Sequence, residues 1–284
     1  MRRLTPYLTA ARPHQWVKNL LVFAAPLAAG EIQNNDILLK TSAAAFLFLL
    51  ISVSVYFFND LYDIDVDSRH IQKAHRPIAS GAIPIRPLVG VILTFSIASL
   101  AFSFLFSLGL GICLALYALV NSLYSAKLKE VPYLELLLVG SGFVARGVAG
   151  GLASDIPLSF WFITLISSTS LFVVIGKRFA ELSAYQIHTS RPVLKFYSLK
   201  ILEALMVLSS TFAVITYGFW LGQSNNQGSF SLVSLFLFSL ALIRYRLRLN
   251  HGFGEDPVRT VLSDFWLTAL SVIWALAYGV AVYG

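Results

Sequence analysis

The chain is 284 residues long, 57% hydrophobic and only 12% charged, with a mean hydropathy of +0.74. Soluble domains carry about 25% charged residues. These proportions exclude an ordinary globular domain, a disordered chain and a nucleic-acid-binding module, in spite of a formal net charge of +7, and leave an integral membrane protein. Its single cysteine, Cys113, lies in an apolar run and reads as a small packing residue, so neither an intramolecular disulfide nor a cysteine-based metal site is available. Arg2, Arg3, Arg12, His14, Gln15 and Lys18 come before any long apolar stretch, and no small-residue cleavage site follows, so the N-terminus does not read as a signal peptide.

In chain order, the apolar segments predict nine transmembrane helices, at approximately 17–29, 41–58, 87–106, 109–125, 133–150, 156–175, 201–221, 229–243 and 265–283. The first and the eighth are short. Nine crossings put the N-terminal arm and the segments at about 59–86, 126–132, 176–200 and 244–264 on one side. That side carries nineteen of the 21 lysines and arginines, all but Lys40 and Arg146. The positive-inside rule makes it cytoplasmic. The sequence thus predicts an all-α, single polytopic domain over residues 1–284, in the cell (inner) membrane, with the N-terminus inside and the C-terminus outside.

The residues that carry chemistry follow the second apolar segment: Asn59-Asp60-Leu61-Tyr62-Asp63-Ile64-Asp65-Val66-Asp67, then Lys73 and Arg76-Pro77. If the helix continues, Asp60, Asp63 and Asp67 fall at i, i+3 and i+7, with Asn59 four before Asp63, so all four share one face. Asp65 points the other way. Carboxylates converging at a bilayer surface call for a cation. Hard divalent ions such as Mg2+, or Mn2+, take one or two carboxylates plus substrate phosphates. Asn59, Asp60, Asp63 and Asp67 are the expected metal ligands, and Lys73 and Arg76 would hold the remaining phosphate charge. The competing reading is that these acids are solvated or balance nearby bases. Four of the chain's 14 acids within eight positions, spaced at a span boundary, favour the metal.

This pattern, with Lys73-x-x-Arg76-Pro77 and Ser80-Gly81, resembles the UbiA-type prenyltransferase superfamily. The resemblance covers nearly the whole chain and implies a helical bundle whose metal-bound diphosphate lies in a cavity open to the cytoplasm. Tyr124-Ser125 with Lys127 and Lys129, and Arg146-Gly147-Val148-Ala149-Gly150, sit where that family places recurrent residues. Most members carry a second aspartate-rich motif after the sixth span. Here that stretch reads Gly176-Lys177-Arg178-Phe179-Ala180-Glu181-Leu182, and a Lys-Arg pair suits an anion held without metal.

Together with Arg12-Pro13-His14-Gln15-Trp16-Val17-Lys18-Asn19, this is similar to the branch that joins 5-phosphoribosyl diphosphate to a polyprenyl phosphate of the decaprenyl type. The resemblance implies Asp60, Asp63 and Asp67 as catalytic residues. Lys18, Asn59, Lys73, Arg76, Tyr124, Lys127, Arg146, Lys177, Arg178 and Glu181 are the implied substrate-binding residues, with Lys177 and Arg178 on the acceptor's phosphate.

Arg146 lies deep in its span, either serving the cavity or capping carbonyls, and Glu181 either completes a metal shell or orients Arg178. Arg244, Arg246 and Arg248 read as headgroup contacts. His14, His70, His75, His188 and His251 show no zinc-ligand spacing. A conventional prenyltransferase with an aromatic or tetrapyrrole acceptor and, in a different class, a secondary transporter rank lower. A homo-oligomer is compatible with the sequence.

Overall fold

The computed structural model describes residues 5–70, 73–183, 192–223, 229–250, 254 and 256–283. Arg2, Arg3, His188, Arg191, His251 and Gly284, all used in the sequence reading, lie outside the described residues.

Among those described, eight helices are long and apolar enough to cross a bilayer. They are α1 (Asn35–Tyr62), α2 (Ile85–Phe106), α3 (Leu108–Ala126), α4 (Leu134–Ala153), α5 (Phe160–Ser183), α6 (Leu199–Gln223), α7 (Ser229–Asn250) and α8 (Phe265–Tyr283). The first expected span, at 17–29, is the one that is not a long α-helix. It is a 3-10 helix, Pro13–Phe23, running into a short α-helix, Ala24–Ala28. Pro26 has no amide hydrogen to return to the Val22 carbonyl in the α-helical pattern.

The sequence predicts one domain; the chain gathers into two compact units, and the unbroken helix α4 contributes to both. The first comprises residues up to Pro26, Ile32–Lys129 and Ala145–Ile156. Its centre is α1, which starts on an Asn34 cap whose side chain accepts from Asp36 N at 3.0 Å. Thr41, Ala44, Phe48, Ile51, Ser52 and Val55 recur at helical spacing on its buried face. Serines tie α1 to α2: Ser54 Oγ donates to the Ile92 carbonyl at 3.0 Å, and Ser99 Oγ to that of Leu47 at 2.8 Å. Without a hydrophobic drive between helices in lipid, such bonds and close packing hold a bundle together. The turn between α2 and α3 falls at Ser107, which caps α3 and donates to the Leu152 carbonyl at 2.8 Å. Gly150 of α4 backs directly onto the Val22 carbonyl, where a Cβ would overlap it, so only glycine permits this approach.

The second unit comprises Leu27–Glu31, Glu130–Val144 and the chain from Pro157 onward. Here α5 packs along α6 and α7 along α8, around a core that includes Leu136, Phe172, Ile175, Leu202, Met206 and Leu249. Asp264 caps α8 by accepting from Leu267 N at 2.7 Å, and Arg244 grips the same carboxylate at 3.1 and 2.8 Å. These bonds hold the Asp264 carboxyl below the usual carboxylate range, the Arg244 contact being the main cause. Arg248 also reaches Asp264, at 3.1 Å, so the α7 arginines read as headgroup contacts are in part internal partners.

Helix ends extend beyond the apolar runs. α5 continues to Ser183 and α7 to Asn250, so Lys177, Arg178, Glu181, Arg244, Arg246 and Arg248 stand on helices and not in loops.

Candidate active site

In the first unit α1 ends at Tyr62, and Asp63 (φ −88°, ψ 9°) joins it to a short helix, Ile64–Ser68. This break matters for the four expected metal ligands, which the structure does not bring together. Asp60 and Asp67 are buried and share Arg76, whose Nη1 donates to Asp67 Oδ2 at 2.7 Å and to Asp60 Oδ1 at 3.2 Å. Arg12 Nη2 donates to the same Asp60 oxygen. Asp63 turns elsewhere, accepting from Lys129 Nζ at 2.6 Å, and Asn59 Oδ1 accepts from Ser125 Oγ. The i, i+3, i+7 argument assumes an unbroken helix and ignores partners distant in sequence; both assumptions fail at Asp63. Among the described residues no three acids, histidines or cysteines cluster at metal-holding spacing. Asp65 is exposed, on a face apart from Asp60 and Asp67.

The basic residues divide. Lys73 Nζ stands 3.9 Å from Asp67, and Arg12 lies over the Tyr56 ring, 5.4 Å from its centroid. Lys127 is exposed at the end of α3, whereas Tyr124 and Lys18 are half-buried. Arg146 is enclosed within the first unit. Its Nε donates to Asn19 Oδ1 at 2.9 Å and its Nη2 to Ser52 Oγ at 3.1 Å and Tyr117 OH at 3.0 Å, with the guanidinium carbon 4.9 and 5.0 Å from the ring centroids of Phe48 and Tyr117. Arg146 therefore binds side chains of the 3-10 segment, α1 and α3.

Arg178 departs furthest from expectation. It is fully buried in the second unit, with Nε and Nη2 on Glu135 at 2.5 and 2.6 Å and Nη1 on Glu181 at 2.7 Å. Tyr197 OH donates to Glu135 at 3.1 Å and accepts from Tyr133 N at 3.0 Å. Burial, chiefly, raises the Tyr197 pKa and keeps the phenol protonated. An arginine bidentate to one carboxylate and bonded to a second engages all three of its nitrogens with protein carboxylates. Glu181 accepts from Arg178, the partner named in one of its two expected roles. Lys177 lies at the network's edge, 4.0 Å from Glu181.

Arg12, Ser125, Glu135 and Tyr197 are partners that the sequence reading did not choose as site residues. Two of them had a signal: Arg12 as the first residue of the Arg-Pro-x-Gln-Trp-x-Lys-Asn motif, and Ser125 as part of the Tyr124-Ser125 pair.

A buried acid pair at the end of the first long helix, bridged by Arg76 and reached at Asp60 by Arg12, is an arrangement that suits a membrane-embedded enzyme handling phosphate groups. The chain belongs to the UbiA prenyltransferase family, which it matches over residues 20–272, and it is a multi-pass membrane protein. It is 35% identical over 292 residues to the decaprenyl-phosphate phosphoribosyltransferase of Mycolicibacterium smegmatis, covering 97% of this chain and 92% of that one. Against the enzyme of the same name from Corynebacterium glutamicum it is 34% identical, covering 97% and 86%. Among solved structures, a UbiA homologue from Archaeoglobus fulgidus bound to DMAPP and Mg2+ superposes with a TM-score of 0.73 at 18% identity, covering 98% of this chain and 99% of that one. That likeness establishes the fold.

Proposed function

We propose that the chain transfers the 5-phosphoribosyl group of 5-phosphoribosyl diphosphate to a polyprenyl phosphate of the decaprenyl type, releasing diphosphate. The observation that carries this reading is the near-full-length identity to enzymes of that name. The residues of the first unit are compatible with it.

Asp60 and Asp67 are enclosed oxygen donors, a pair that fits one hard divalent cation completed by water and substrate phosphates. They would hold Mg2+, which when bound would supply positive charge to the diphosphate leaving group. Arg76 and Lys73, already against these carboxylates, bind the diphosphate's outer oxygens. Asp63 and Asn59, set on Lys129 and Ser125, support the same loop. An oxygen of the acceptor phosphate forms a bond to C1 of the ribose while the C1–O bond to diphosphate breaks, its electron pair leaving with the diphosphate. The attacking oxygen is already anionic, so no residue need remove a proton. Lys18 and Lys127 are the bases for the acceptor's phosphate, and Tyr124 is a further substrate contact. Arg146 and Arg178 act by holding the elements around them.

The chain crosses the membrane nine times with its cavity open to the cytoplasm. The first crossing is the 3-10 and α-helical run over 13–28: eleven residues at about 2.0 Å and five at about 1.5 Å make roughly 30 Å, the thickness of the hydrocarbon core. Cysteine labels at Lys73 and Arg248 are expected to react from the cytoplasmic side and a tag after Gly284 from outside; a cytoplasmic tag overturns the nine crossings.

The activity test gives purified protein labelled 5-phosphoribosyl diphosphate, decaprenyl phosphate and Mg2+. Label entering the lipid phase is the expected result. Consumption of a prenyl diphosphate in its place would overturn the reading in favour of a conventional prenyltransferase.

A further inference from the structure

The acid pair of the first unit is paired unusually. Two guanidinium groups, from Arg12 and Arg76, end on one oxygen, Asp60 Oδ1. The two carboxylates are enclosed, with 5% and 3% of their side-chain surface exposed. The two arginines keep 29% and 36% and so remain open to solvent. Beside them lies a cavity of about 270 Å³ lined by Thr9, Arg12, Asp60, His75, Arg76 and Pro77. Arg12 also holds a left-handed backbone (φ 54°, ψ 63°) just before Pro13, a conformation non-glycine residues seldom adopt and one that clusters at functional sites.

We propose that Arg12 is a donor-phosphate residue held in reserve on Asp60: in the free protein its guanidinium occupies the carboxylate, and when Asp60 takes a divalent cation Arg12 turns into the cavity and binds a phosphate of the donor. The proposal rests on the reading of Asp60 as a metal ligand given above. Whichever oxygen of Asp60 takes a divalent cation, keeping both guanidinium donors on the same carboxylate would set three positive groups within a few ångströms of one another, a repulsion that favours the release of one. Of the two arginines, Arg76 retains Asp67 when it leaves Asp60. Arg12 has the open cavity beside it, and a donor phosphate arriving with the metal supplies the anion that its guanidinium has lost.

Arg12 therefore acts with opposite sign on the two ligands. It competes with the metal for Asp60 when the metal comes alone, and it strengthens binding when metal and phosphate come together. A residue that only maintains the fold would affect both in the same direction.

The test uses the full chain in detergent micelles with Mn2+ as the probe, its binding followed by paramagnetic resonance. Arg12→Gly and Arg12→Asn both suit the left-handed backbone, so each removes the guanidinium without adding strain. Both variants are expected to bind Mn2+ alone about tenfold more tightly than the unaltered chain, and Mn2+ with inorganic pyrophosphate about tenfold more weakly. Mn2+ alone binding the variants no more tightly would overturn the exchange at Asp60, and unchanged pyrophosphate binding would overturn the phosphate role. A parallel titration puts 5-phosphoribosyl diphosphate in place of pyrophosphate on the unaltered chain. Failure of that ligand alone would overturn the donor assigned under the proposed function and leave the exchange standing.

Discussion

The two acid–base clusters of this protein have similar composition and opposite construction. In the first unit Asp60 and Asp67 are enclosed while Arg12, Lys73 and Arg76 remain partly open to solvent. In the second, the cation itself is enclosed: the Arg178 side chain is 2% exposed, against Glu135 at 0% and Glu181 at 11%. An ion pair whose cation can reach water can trade it for another cation at small cost. One with both charges buried cannot, since removing either partner strands the other in a medium that solvates it poorly. The first cluster is therefore built for exchange and the second as a clamp that ties α4, α5 and Tyr197 together.

The largest test of this contrast is Arg178→Ala, which leaves Glu135 buried and unpaired. It should cost about 3 to 5 kcal/mol of stability, read as thermal unfolding of the detergent-solubilised protein, and replacing Arg178 and Glu135 together by apolar residues should recover much of the loss. An Arg178→Ala protein of normal stability that had lost the use of polyprenyl phosphate would break the comparison and return Arg178 to the acceptor site.

Asp60→Asn and Asp67→Asn should do the reverse. Each leaves only partly exposed arginines behind, so stability should fall by less than about 1 kcal/mol. Phosphoribosyl transfer should fall about a hundredfold or more, because the divalent cation loses a ligand.

Tyr197→Phe sharpens the picture of the clamp. It removes one hydrogen bond to Glu135 and one from Tyr133 N, at a cost of about 1 kcal/mol. The folded-state pKa of Tyr197 is raised above that of the unfolded chain, mainly by burial. Its contribution is therefore full below about pH 10 and is lost as pH rises beyond it, an alkaline loss that the phenylalanine variant should lack in a pH series of unfolding temperatures. The smallest effect is expected at Asp65→Asn. The side chain is exposed, so stability should stay within about 0.5 kcal/mol and activity should be nearly unchanged; a loss equal to that at Asp67 would show that the acid motif does not act through the Asp60 and Asp67 face.

Particular residues mark how far the sequence could be read. The cores of the long helices follow from apolar length alone, yet their ends do not: Lys177, Arg178 and Glu181 read as a loop because hydropathy reports the bilayer, whereas the helix continues beyond it on backbone hydrogen bonding that charged residues do not interrupt. The acid motif was legible in the sequence, and the partner of each of its members was not. Asp63 is met by Lys129, 66 residues away, and no local spacing encodes that choice. Arg12 and Asn19 share one motif in the sequence, and the structure sends them to different partners, Asp60 and Arg146.

Composition and patterning by themselves determined that this is a helical membrane protein with its acidic motif at the end of a span, because burial of apolar surface in lipid and the placement of charge depend on what each stretch contains. Only the tertiary structure decided which charge meets which. Whether Arg178 serves a ligand or the fold, and whether Asp60 keeps an exchangeable partner, is set by the burial of both members of each pair. That burial comes from helices brought together from distant parts of the chain, and the cost of an unpaired charge depends on its surroundings far more than on its neighbours in sequence.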